Sequence, residues 1–134
     1  MHLTSILYLT CLSIFSAFAQ GSESSDNGSY YLEFEKIDNR VEVFLGDSLI
    51  YNSGIIRKNP KLEIQVFIDD ALLEDSNELT VKLINGLDGA NHGDDIHWEI
   101  KYYLFKGDEV IDWVWDDADD GRVGVVLEET YILE

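Results

Sequence analysis

Between Ile96 and Phe105 the residue type changes side at every step: Ile96, Trp98, Ile100, Tyr102 and Leu104 alternate with His97, Glu99, Lys101, Tyr103 and Phe105. A repeat of two puts successive side chains on opposite faces of an extended strand, and it does not fit the 3.6-residue stripe of an amphipathic helix. After the turn sequence Lys106-Gly107-Asp108 the alternation resumes, with Ile111, Trp113 and Trp115 on one side and Asp112 and Val114 on the other. The spacing predicts a β-hairpin that carries all 3 tryptophans and leads into an acidic loop from Asp116 to Gly124.

The same period organises the rest of the chain. Tyr30, Leu32 and Phe34 form one inward set, Val41, Val43 and Leu45 a second, Leu62, Ile64, Val66 and Ile68 a third, and Leu79, Val81 and Leu83 a fourth. Asp38-Asn39, Gly46-Asp47, Gly54 and Asn59-Pro60 supply turn chemistry between them. Asp69 to Ser76 breaks the alternation, and a single helical turn there would let Leu72 and Leu73 plug one end of a core. Leu87 to Asp95 has the composition of an exposed loop, and Val125 to Leu133 makes a final strand. About eight strands with no long helical period define an all-β antiparallel sandwich, jelly-roll-like. One sheet alone would leave an apolar face in water, so two must pack.

Residues 1–19 contain no Lys, Arg, Asp or Glu, and the apolar run ends Ala17-Phe18-Ala19 before Gln20. That pattern predicts a cleaved secretory signal at 1–19, although only His2 stands where a basic residue is usual. Residues 20–29 then form a flexible leader and 30–134 the sandwich domain. The expected location is secreted, periplasmic or extracellular, with no membrane contact after cleavage. Cys11, the 1 cysteine, lies inside the signal, so the mature domain must rest on its core without disulfides.

The 27 acidic and 9 basic residues leave a formal charge of −18. Such a surface repels nucleic acid and anionic membranes, which need basic patches, and leaves a glycan or an extracellular protein as partner.

The segments VEVFLGDSLI (41–50), SNELTVKLING (76–86) and HWEIKYYLF (97–105) resemble the galactose-binding-like β-sandwich modules. Gly46-Asp47 occupies the family's hairpin turn, and Asn77, Leu79, Val81, Leu83 and Asn85 match its later strand, with Ser76 where the family has Gly. The resemblance implies a jelly roll, binding at one loop end, frequent attachment to sugar-processing enzymes and in some members a structural calcium.

Three side-chain groups carry potential chemistry. Asp116, Asp117, Asp119 and Asp120, closed by Gly121, offer the clustered carboxylates that calcium takes as ligands. They do not form an EF-hand, because Ala118 and Leu127 occupy the third and twelfth positions counted from Asp116. They are therefore candidates for a sandwich-loop calcium site or a solvated acidic turn. The aromatic residues Trp98, Tyr103, Trp113 and Trp115 form the second group. Sugar rings stack on aromatic faces while neighbouring acids bond their hydroxyls, which makes Trp115, Asp116 and Tyr103 the candidate ligand site. Trp98 alternates with Ile96 and Ile100 and is expected in the core, and Trp113 is expected to pack on the sheet. His92, Asp94, Asp95 and His97 have zinc-ligand chemistry but lack a constrained third ligand, so an incidental loop is expected. With no Gly-x-Ser-x-Gly elbow and no Gly-rich phosphate loop, the chain is expected to bind without catalysing. The leading expectation is a carbohydrate-binding or adhesive module, and the alternative is an acidic structural or protein-interaction module.

Overall fold

The computed structural model describes residues 28–86 and 96–134. The expected signal, nearly all of the leader, Cys11, and His92, Asp94 and Asp95 lie outside them. Eight strands and one helical turn follow in order: β1 Tyr30–Asp38, β2 Arg40–Leu45, β3 Ser48–Asn52, β4 Ile64–Phe67, α1 Asp70–Leu73, β5 Glu78–Asn85, β6 Trp98–Lys106, β7 Glu109–Ala118 and β8 Gly124–Ile132.

The strands form two four-stranded antiparallel sheets, ordered β4-β1-β6-β7 and β3-β2-β5-β8. The β2–β3 and β6–β7 hairpins stay within a sheet, and the other connections cross between the sheets. Packed face to face, the sheets bury the inward sets that the alternation defines. Leu32, Phe34, Val41, Val43, Leu79, Val81, Leu83, Ile100 and Tyr102 are all 0% exposed. The chain is an all-β sandwich of eight strands.

Departures from simple alternation have local causes. In β1 the register against β6 shifts between Phe34 and Lys36. This bulge turns both Glu35 and Lys36 away from the core and brings Ile37 back into it, fully buried. Ile96 precedes β6 and is 53% exposed, so it falls outside the inward set that begins at Trp98. Asp38-Asn39, expected as a turn, is a buried corner between the sheets, joined by a cis peptide. Asn39 satisfies the polar groups of that corner: its amide nitrogen donates to Asp38 Oδ1 at 2.6 Å, and its Oδ1 accepts from Gly86 N at 2.9 Å. Asp69 caps α1 by accepting from Ala71 N at 2.8 Å. Only Leu73 of the expected leucine plug packs on the core, while Leu72 is 40% exposed.

The largest difference concerns the acidic segment. β7 runs through Ala118, so Asp116 and Asp117 are strand residues and the loop spans only 119–123. Pairing explains it: Ile100 stands opposite Asp116, Glu99 opposite Asp117 and Trp98 opposite Ala118. Ladder hydrogen bonds to β6 hold the aspartates extended against their own weak strand preference.

Candidate functional site: an aromatic sheet face

Side chains that alternate away from the core meet on the outer face of β4-β1-β6-β7. On β7, Val114 packs inward while its alternates Trp113 and Trp115 point out, 59% and 62% exposed. Register then sets their neighbours. Tyr103 stands opposite Trp113, Lys101 opposite Trp115, and Tyr31 lies between Phe105 and Phe67. The result is a continuous aromatic surface crossing all four strands, with Phe67 at the far edge, 65% exposed.

The rings play different parts. Tyr31 and Phe105 stack on each other with centroids 4.6 Å apart and planes 5° from parallel, so each has one face covered by the other. Tyr31 also leans on Phe67 at 5.3 Å, and Phe105 on Tyr103 at 6.2 Å. These contacts tie the strands together across the face. Trp113, Trp115 and Phe67 keep most of their area open to water.

Trp115 is held in place by a polar strip. Its indole Nε1 donates to Glu99 Oε1 at 3.2 Å, and the Lys101 ammonium lies 5.2 Å from its ring centroid and 5.7 Å from that of Tyr103. Lys101 is fixed in turn by Glu35 Oε2 at 2.6 Å, a contact made available by the β1 bulge. Glu99 also accepts from the Asn59 side chain and lies 3.7 Å from His97 Nε2, while His97 Nδ1 meets Asp119 Oδ1 at 2.7 Å. The strip thus runs Glu35, Lys101, Glu99, His97, Asp119, with Trp115 against its middle.

The same contacts set the titration of these groups. Partial burial alone would raise Glu99, but hydrogen bonds from Asn59 and Trp115 more than offset it and hold the carboxyl below its ordinary range. The hydrogen bond to Asp119 raises His97 above its usual value. Lys101 is raised chiefly by its bond to Glu35. Beside the rings, Glu33, Glu35, Lys61, Glu63 and Gln65 line a groove of about 480 Å³, in which Gln65 Nε2 donates to Glu33 Oε2 at 3.2 Å. Ring faces and hydrogen-bonding groups are therefore adjacent, the combination that a polyhydroxylated ligand requires.

The sequence-derived candidates divide. Trp115 and Tyr103 share the outer face, but Asp116 does not join them. Neighbours in a strand point to opposite sides, and Asp116 stands opposite the core residue Ile100. Three of the four aspartates of the acidic segment engage separate partners, and Asp117 stands opposite Glu99 in the ladder. Asp116 Oδ1 accepts from Asp117 N at 2.9 Å, and Asp119 holds His97. Asp120 binds Arg122 Nε at 2.7 Å and Trp98 Nε1 at 3.0 Å. The backbone hydrogen bond from Arg122, followed by its side chain and Trp98, keeps Asp120 below the ordinary carboxyl range. Among the described residues, no group of 3 or more His, Cys, Asp or Glu side chains is arranged to hold a metal ion. Trp98 is 2% exposed and belongs to the core, with the Arg122 guanidinium 5.4 Å from its ring centroid. Trp113 lies on the sheet as expected, on its solvent side.

Tyr31, Phe67 and Phe105 join this face only through strand register, although each is an aromatic at an outward position of an alternating run. Glu35 and Lys101 were equally hidden, because their contact depends on a bulge. Comparison with protein families, with curated proteins and with solved structures returns no match. Fold and surface together describe an antiparallel β-sandwich with an aromatic outer sheet face.

Proposed function

We propose that this chain is a secreted, non-catalytic binding module whose aromatic sheet face holds a carbohydrate chain. The observation that carries the reading is the open pair Trp113 and Trp115 on a rigid sheet, continuous with Phe67, Tyr31, Phe105 and Tyr103. Exposed apolar area on this scale is uncommon on a soluble domain without a partner. Apolar sugar faces cover the indoles, and the groove beside Glu33, Glu35 and Glu63 accepts hydroxyl hydrogen bonds. Pre-positioning of Trp115 by Glu99 and Lys101 lowers the ordering cost of binding. The many carboxylates bias the ligand toward neutral glycans.

The test is retention on a panel of immobilised neutral polysaccharides. Retention of the native chain on at least one of them is expected. Replacing Trp113 and Trp115 together by Ala is expected to weaken it at least about tenfold, with the melting temperature little changed, since neither ring supports the core. Passage through every glycan unretarded, or unchanged retention of the double variant, contradicts the reading.

A further inference from the structure

A second surface, distinct from the aromatic face, lies where both sheets end on the same lateral side. β7 closes one sheet and β8 the other, and among the described residues each is hydrogen-bonded to a strand on one flank only. The sides meet across the interior through the Tyr102 and Tyr131 hydroxyls, 2.7 Å apart. Between the two edge strands opens a groove of about 400 Å³ with Val110, Ile111, Tyr131, Ile132 and Leu133 in its walls. Val110, Ile111 and Ile132 are 45%, 47% and 62% exposed. Edge β7 is 10 residues long, and its outward N–H and C=O groups form a template for another strand.

The charge carried by the two edge strands is of one sign. β7 carries Glu109, Asp112, Asp116 and Asp117, β8 carries Glu128 and Glu129, and neither strand contains Lys or Arg. Lys106 reaches the groove but donates to the backbone oxygen of Glu134 at 3.1 Å, and Arg122 is bound by Asp120 at 2.7 Å. Basic residues gather instead at Arg57, Lys58 and Lys61, in the connection between β3 and β4. A second copy pairing along β7 would set carboxylates against carboxylates, between chains that each carry −18.

From the open edge, the apolar groove and this charge, we propose that the lateral side binds an extended basic segment of another protein, added as a strand along β7. Apolar residues of the segment seat between Val110, Ile111 and Ile132, and its Lys or Arg residues face the carboxylates of β7 and β8. Main-chain pairing supplies affinity, and alternate side chains supply selection. The site does not use Trp113 or Trp115, so it stands or falls separately from glycan binding.

The probe is a labelled peptide of about ten residues alternating Lys with Val, followed by fluorescence anisotropy and by hydrogen exchange of the full chain. Two control peptides replace alternate valines by Pro, which cannot pair, or every Lys by Glu. Binding of the Lys-Val peptide is expected, with slowed exchange in β7. A loss of at least about tenfold is expected in the charge-reversed variant Asp116→Lys/Glu129→Lys and on raising salt from roughly 50 to 500 mM, because exposed charge is screened. Binding is expected to persist in Trp113→Ala/Trp115→Ala. No binding, equal binding of the Pro peptide, or protection confined to other strands overturns the proposal. So does a dimer in sedimentation with β7 protected before peptide is added, since the occupant would then be a second copy.

Discussion

At the scale of single residues, positions that look alike in the sequence do different work. Gly46 turns β2 into β3 at φ +56°, and a Cβ there would come 2.8 Å from the Cβ of Ser76. Gly46→Ala is therefore expected to cost about 1 kcal/mol or more, from left-handed strain plus the close contact, as measured by urea denaturation. His97 gives a pH dependence with a definite sign. Its pKa is raised in the folded chain by Asp119, so its contribution to stability is complete below the unfolded value, about 6.5, and is lost as pH rises through the higher folded value. Groups facing it are Asp119 on the loop, Glu99 on β6 and Asp38 on β1. The melting-temperature advantage of the native chain over His97→Gln is expected to be present at about pH 5.5 and to fade toward pH 8. An advantage that grows with pH would contradict the assignment. Trp98, Trp113 and Trp115 were separable from sequence only in part. Alternation with Ile100 placed Trp98 inside, but nothing in the chain order revealed that Glu99 and Lys101 would fix Trp115.

At the scale of elements, period two assigns faces strand by strand, which is why the core of β1, β2, β5 and β6 was legible. It cannot give the register between strands, and the outer face exists only through register. Tyr31, Phe105 and Phe67 are far apart in the chain and adjacent in the sheet. Adjacency in sequence misleads in the opposite direction, as Trp115 and Asp116 show by lying on opposite sides. Asp is a poor strand former and the acidic segment has the composition of a loop, yet pairing with β6 extends β7 through Ala118. β7 itself offers a direct test of facing. Trp113→Lys and Trp115→Lys place charge in water and are expected to change stability by less than about 1 kcal/mol, whereas Val114→Lys faces the core and is expected to cost about 2 kcal/mol or more. Equal effects at the three positions would mean that the facing of β7 is misassigned.

For the whole molecule, one well-packed core offsets a large self-repulsion. Leu83, fully buried in β5, is a measure of that core, and Leu83→Ala is expected to cost about 2–5 kcal/mol. With a formal charge of −18, raising salt from about 20 to 200 mM is expected to raise the melting temperature, as screening relieves repulsion that the compact state suffers most. Composition made that charge visible at once, but its segregation, acidic along β7 and β8 and basic between β3 and β4, appears only after folding. The molecule then presents two surfaces of different character: an aromatic sheet face, proposed to hold a glycan, and an acidic edge, proposed to take a basic strand. The most direct test of the first, on which the functional account rests, is acrylamide quenching of tryptophan fluorescence with and without a saturating oligosaccharide cut from the retained polysaccharide. Trp98 is already buried, so sugar bound on the face is expected to shield the two exposed indoles and lower the quenching constant at least about twofold. Quenching unchanged by a bound sugar would place the ligand elsewhere and contradict the account.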